Sequence, residues 1–295
     1  MNRQQMIERI TTGQGFIAAL DQSGGSTPKA LRGYGVDDSE WSGDDEMFAQ
    51  IHAMRVRVIT APSFASGKVI GAILFEKTMD GLVDGVPTAD ALKARGVVPF
   101  IKVDEGLADE ADGVQLMKPM VKLAALLEKS VAAGMFGTKM RSVIKSANPA
   151  GIAAIVAQQF EVAGEILDAG LVPMIEPEYD ITAEDRAAGE EILLAEIMKH
   201  LDTLPEGREV MLKLSIPVTP GLYAPAIAHP RVLRVVALSG GFSTDEACER
   251  LAQNPGMIAS FSRGLLQDLR KQQSDAEFDA VLGKAIDQIA AASVA

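Results

Sequence analysis

A single cysteine, Cys248, excludes an internal disulfide, and three scattered histidines, His52, His200 and His229, show no metal-ligand spacing. A zinc-dependent mechanism is therefore not expected. The chain has no uncharged apolar run near eighteen residues, and its opening, Met1-Asn2-Arg3-Gln4-Gln5, is polar and amphipathic rather than a signal peptide. The expectation is a soluble, cytoplasmic protein with no membrane partner. Basic residues are the minority, 28 against 40 acidic, for a formal charge of −12. That balance argues against non-specific binding to nucleic acid, and an anionic substrate would need a local basic pocket. No Gly-x-Gly-x-x-Gly follows the first apolar run and no Walker-type loop occurs, so both common nucleotide signatures are missing. No linker or low-complexity stretch divides the chain, which is read as a single catalytic domain over residues 1–295.

What the chain does have is a regular alternation. Short apolar, β-branched runs at 16–21, 69–75, 97–103, 138–144, 171–176, 210–216, 232–239 and 257–262 read as eight strands. Between several of them lie patterns of period near 3.6, namely Val114 to Ala133, Ile152 to Ala169, Ala183 to Leu204 and Thr244 to Gln253; a further helix is expected over Asp44 to Val58. Strands alternating with helices imply a parallel sheet, and near-continuous apolar strands imply that both faces are covered. An open doubly wound sheet and a closed barrel both satisfy this. Eight strands in 295 residues favour an α/β fold of the (β/α)8 TIM-barrel type.

Against that apolar background, several runs carry charge towards their C-terminal ends: Asp21, Glu76, Lys102 with Asp104, Lys139 with Arg141, Glu176 with Glu178, and Lys213. In a barrel these ends form the active-site face, and residues two apart on a strand share a side. Lys213, the one cation within Val210-Met211-Leu212-Lys213-Leu214-Ser215-Ile216, is the most informative. Burial disfavours an ammonium, so such a lysine can serve as an amine nucleophile towards a carbonyl carbon. Strand lysines can also snorkel or pair structurally, so the inference rests on the company Lys213 keeps. After the last two strands, Ser239-Gly240-Gly241 can present backbone N–H groups to an anion and Ser262-Arg263-Gly264 adds a guanidinium, where phosphate sites in such barrels often lie. Met117, Met120, Leu123 and Leu127 read as core, the acidic run Glu184, Asp185, Glu190 and Glu191 as the solvated start of a helix, and Cys248 as a packed thiol.

These segments, Ala19-Leu20-Asp21-Gln22-Ser23-Gly24-Gly25-Ser26, Ile101-Lys102-Val103-Asp104, Lys139-Met140-Arg141, Ile175-Glu176-Pro177-Glu178, Leu212-Lys213 with Thr219-Pro220-Gly221, Leu238-Ser239-Gly240-Gly241 and Ser262-Arg263, run in one order through the chain. In that order and spacing the chain resembles class I, Schiff-base fructose-bisphosphate aldolase in its shorter bacterial form. The resemblance implies that Lys213 forms an imine with a ketose phosphate, that Glu176 serves as general acid and base, and that Asp21 deprotonates the C4 hydroxyl. It implies Lys139 as a cationic neighbour that holds Lys213 deprotonated by like-charge repulsion, and Glu178 as the completion of the charge network. Ser239, Gly240, Gly241, Ser262 and Arg263 would grip the ketose phosphate; Ser23, Ser26, Lys102 and Arg141 would face the far phosphate or the sugar hydroxyls. It further implies a phosphorylated sugar as partner, no metal or organic cofactor, and a homo-oligomer.

The chain departs from longer relatives at Gln22, where they carry glutamate, and at the adjacent Ser262 and Arg263, which they separate by two residues. It ends in Ala290-Ala291-Ala292-Ser293-Val294-Ala295, without their terminal tyrosine, so another group, such as Glu176 or Asp21, would have to exchange the triose proton, or the step is slow. Three other readings stand beside this one: the same chemistry on sedoheptulose or tagatose bisphosphate, a transaldolase-like transferase, and a catalytically silent barrel used as a scaffold.

Overall fold

The structure, a computed structural model, describes residues 1–294. Eight parallel strands pair in sequence order: β1 (Phe16–Leu20), β2 (Val69–Leu74), β3 (Val98–Lys102), β4 (Gly137–Ile144), β5 (Val172–Tyr179), β6 (Val210–Ser215), β7 (Val232–Leu238) and β8 (Met257–Ala259). The circuit nearly closes where the Ala19 amide donates to the Phe261 carbonyl at 3.4 Å, just past β8. The expected TIM barrel is therefore present, and all eight strands fall on the apolar runs that predicted them.

Two apolar layers hold it. One lies between strands and outer helices. The other fills the lower barrel interior with Ile17, Ile73, Phe100, Met174, Met211, Val236 and Ile258, and includes Met6 and Ile10 of the Arg3–Thr12 helix. That helix closes the bottom of the barrel, and Arg234 of β7 fastens it by donating to the Ile10 and Gly13 carbonyls at 2.9 and 2.7 Å. Strand alternation explains what comes next. Two residues above Phe100, Met174 and Met211 stand Lys102, Glu176 and Lys213, so the inward apolar layer is roofed by charge.

The outer helices follow their patterns and caps. Asn148 accepts from the Ala150 and Gly151 amides to start the Pro149–Asp168 helix, with Pro149 in the first turn, where a missing N–H costs nothing. This helix is long and apolar enough to cross a membrane on composition, but half of its most apolar window is buried, and it packs on β4, β5 and the Arg186–Leu201 helix. Ser274 and Glu277 form a capping box for Asp275–Ala292. The long connection after β1 holds two helices, Ser26–Tyr34 and Gly43–Thr60, of which only the second was expected.

The pattern over Val114–Ala133 is corrected. Val114–Gln115 is a short strand antiparallel to Val143–Ile144, and the helix spans only Leu123–Ala132. Pro119 is the physical reason: it cannot donate within a helix and disfavours helical backbone at Lys118. Met117 is nevertheless buried and Met120 packs on the core, both from a loop.

Phe100 stacks edge-to-face on Phe136, with ring centroids 5.4 Å apart, in the middle of the lower layer. Phe100→Ala should lower stability by about 3–5 kcal/mol in denaturant unfolding, because the surrounding strands cannot collapse into the space. A loss below about 1 kcal/mol would show that this layer is not the barrel's anchor.

Candidate active site

At the carboxyl end of the barrel four charged groups form a continuous ladder. Asp21 Oδ2 lies 2.9 Å from Lys139 Nζ, Lys139 Nζ lies 2.8 Å from Glu176 Oε2, and Glu176 Oε1 lies 3.0 Å from Lys213 Nζ.

 Glu176 thus spans both lysines, one through each carboxylate oxygen. All four groups sit deep in the barrel mouth, and the side chains of Lys139, Glu176 and Lys213 are at most 5% exposed.

Electrostatics follow from that packing. Burial alone would push the Asp21 carboxyl up, but the ammonium groups of Lys139, Lys213 and Lys102 hold it well below the usual carboxylate range. Glu176 is likewise raised by burial and lowered overall by Lys139 and Lys213. Burial works against the Lys139 cation, yet Asp21, Glu176 and Asp104 carry it well above the ordinary lysine value. Lys139 is therefore a fixed cation whose charge is committed to two carboxylates. Glu176 stands between Lys139 and Lys213 and contacts both.

The other expected residues surround this ladder as ion pairs. Lys102 Nζ meets Asp104 Oδ1 at 2.7 Å and donates to the Asp104 carbonyl at 2.8 Å. Arg141 Nε donates to Glu178 Oε2, so Glu178 joins the network through Arg141 rather than through a lysine. Gly240 and Gly241 adopt φ of 60° and 134°, a region open to glycine, and the Arg263 guanidinium lies 3.6 Å from where a Gly241 side chain would begin. The Ser239-Gly240-Gly241 turn and Arg263 thus adjoin. Ser262 accepts from the Gln22 amide, which ties the loop after β1 to the loop after β8. Ser23 and Ser26 are joined only to each other, Ser26 Oγ accepting from the Ser23 amide and donating to its carbonyl at the start of the Ser26–Tyr34 helix. Glu76 lies away from the site, in the first turn of a short helix, paired with Lys129 at 2.9 Å.

Two supporting side chains were not anticipated. Arg55, fully buried in the Gly43–Thr60 helix, donates to the Gln22 carbonyl at 2.5 Å and to Thr78 Oγ1 at 2.6 Å, fixing the backbone next to Asp21. Burial lowers its pKa to about 10 against the opposing pull of Asp21. Gln159 of the Pro149–Asp168 helix accepts from the Glu176 amide at 2.8 Å. Both were detectable as polar residues on apolar stripes, Arg55 with Ile51 and Ile59, and Gln159 with Ile152, Ile155 and Phe160. None of Tyr34, Tyr179 and Tyr223 hydrogen-bonds to the ladder. Among the described residues, no group of three histidine, cysteine or carboxylate side chains could hold a metal ion.

The family model for fructose-bisphosphate aldolase class-I matches residues 3–230, a span that contains Asp21, Lys139, Glu176 and Lys213. The chain belongs to the class I fructose-bisphosphate aldolase family. A curated relative, fructose-bisphosphate aldolase class 1 of Synechocystis sp. (strain ATCC 27184 / PCC 6803 / Kazusa), is 54% identical over 292 residues, covering 99% of this chain and 97% of the relative. Among solved structures, the fructose-bisphosphate aldolase of Plasmodium falciparum, crystallised with TRAP and a small-molecule inhibitor, aligns with a TM-score of 0.78 at 20% identity over 99% of this chain and 94% of that one. Cgl0159 of Corynebacterium glutamicum aligns at 0.54 and 15% identity over 98% and 92%. At these identities the two structures speak to the barrel fold alone.

The depressed Asp21 carboxyl gives a pH signature. A carboxylate whose folded pKa lies below its unfolded value of about 3.9 stabilises the fold above that pH, and the contribution is lost as pH falls towards the folded value. Asp21→Asn should be destabilising at pH 7, by about 3–5 kcal/mol for an orphaned buried partner. In urea unfolding the gap between the two proteins should start to narrow below about pH 4 and shrink further as pH falls. A gap that stays constant across that range would show that Asp21 is not ionised in the native ladder.

Proposed function

We propose that this aldolase cleaves fructose 1,6-bisphosphate reversibly to dihydroxyacetone phosphate and glyceraldehyde 3-phosphate through an imine on Lys213. The observation that carries the reading is the buried 3.0 Å contact between Lys213 Nζ and Glu176 Oε1. Transfer of one ammonium proton to Glu176 frees the amine, which attacks the C2 carbonyl carbon. Glu176 then returns the proton to the carbinolamine hydroxyl, water leaves, and a protonated imine remains. With Asp21 accepting the C4 hydroxyl proton, the C3–C4 bond breaks, its electron pair flows into the imine as an enamine, and the aldehyde departs. Protonation at C3 and hydrolysis of the imine release the ketone phosphate and regenerate Lys213. The C3 proton falls to Glu176 or Asp21, the acids nearest the lysine.

Lys139 holds both carboxylates in place and remains charged throughout. The Ser239-Gly240-Gly241 turn with Ser262 and Arg263 receives the ketose phosphate, while Lys102, Arg141, Ser23 and Ser26 serve the far phosphate and hydroxyls. Lys102 and Arg141 would then exchange part of their pairing with Asp104 and Glu178 for the substrate. Residues 1–295 act as one catalytic domain, supported by a single sheet that runs from Phe16 to Ala259. A cytoplasmic homo-oligomer is the working form that the family resemblance supports.

Lys213→Ala should abolish cleavage in a coupled triose assay, and Glu176→Gln should lower kcat about 10²–10⁴-fold. EDTA should leave the wild-type rate unchanged. Cleavage that survives Lys213→Ala, or disappears with EDTA, would overturn the reading.

A further inference from the structure

The seam between β5 and β6 differs from its neighbours. Along β4 and β5 the ladder is continuous from Gly137 and Val172 to Ile144 and Tyr179, and β6 pairs with β7 along its whole length. Between β5 and β6 only Met174 with Met211 and Ile175 with Leu212 are paired. The next pair in register would be Glu176 and Lys213, so the ladder stops where the acid and the amine begin. Proline contributes to this, since Pro177, the residue after Glu176, has no N–H to give.

One buried side chain takes over at the top of the seam, and a second anchors β5 on its other side. Ser215 Oγ accepts from the Tyr179 amide at 3.0 Å and donates to the Tyr179 carbonyl at 2.8 Å, closing the top of the seam with one hydroxyl. Gln159 Oε1 accepts from the Glu176 amide at 2.8 Å, and its Nε2 donates to Ser142 Oγ on β4. Both residues are almost fully buried, and neither touches the reacting groups.

We propose that Ser215, which bridges the open β5–β6 seam, and Gln159, which ties β5 to β4, are positioning residues that together set where Glu176 reaches Lys213. The inference rests on the imine mechanism above. Ser215 sets the spacing of the two strand ends, and Gln159 fixes the height of Glu176 against β4. A ladder bond at this point would draw the strands together; the Ser215 hydroxyl holds them apart while pairing both the amide and the carbonyl of Tyr179.

The test is Ser215→Ala in the full-length enzyme, with wild type and Ser215→Thr alongside, each followed by thermal unfolding, kcat, KM and the pH profile of kcat. The folded alanine variant should keep KM within about twofold while kcat falls about 10²-fold, the effect of a misplacement near 1 Å. The acid limb of its profile should move, because Glu176 now meets Lys213 differently, and threonine should restore both. A kcat within twofold of wild type, or a loss of kcat with an unmoved profile, would overturn the proposal while leaving the aldolase reading intact. Wild type without cleavage would remove both. If Ser215→Ala does not fold, Gln159→Asn, which shortens the tether to Glu176 by one methylene, carries the same expectations and the same refutation.

Discussion

Everything in this barrel depends on placing four charges where water cannot solvate them. Two carboxylates and two ammonium groups alternate from Asp21 through Lys139 and Glu176 to Lys213, with neighbours no more than 3.0 Å apart. Removing one partner from such a set leaves an uncompensated buried charge, which is far more costly than the pair is stabilising. The same alternation makes the chemistry feasible. In the proposed mechanism a proton passing from Lys213 to Glu176 leaves the net charge of the ladder unchanged, so a nucleophilic amine forms without any new charge being buried. Lys139, held cationic by two carboxylates, keeps Asp21 ionised, as its proposed role as base requires.

The rest of the fold serves that row. The aromatic and aliphatic layer below it, closed by the Arg3–Thr12 helix, excludes water from beneath. Side chains from the outer helices reach the strand backbones that carry the acids: Arg55 grips the Gln22 carbonyl beyond Asp21, and Gln159 grips the Glu176 amide. Helices that pack with apolar stripes therefore also deliver single polar groups to the strands. Such support is what keeps a catalytic constellation within the tolerance that its chemistry needs.

Much of this was legible in the chain. The strands are short, β-branched and continuous, and a parallel barrel buries both faces of each one, so their positions follow from composition alone. The charges at their C-terminal ends stand out for the same reason. Local pattern failed where a proline overruled a helical stripe, at Val114–Ala133, and where a strand ended two residues before its charge, at Glu76. Pairing was not legible at all. That Lys139 would be shared by Asp21 and Glu176, or that Arg141 would take Glu178, depends on the register between strands, which no single segment encodes. Arg55 and Gln159 left a trace, as polar positions on apolar faces, but their partners could be named only once the helices were docked.

The most direct test of the account is to trap the intermediate. Wild-type protein incubated with dihydroxyacetone phosphate and borohydride in the presence of EDTA, then digested and mapped by mass spectrometry, should carry one stable adduct, on Lys213. An adduct on Lys139 instead, or none on folded protein, would contradict it.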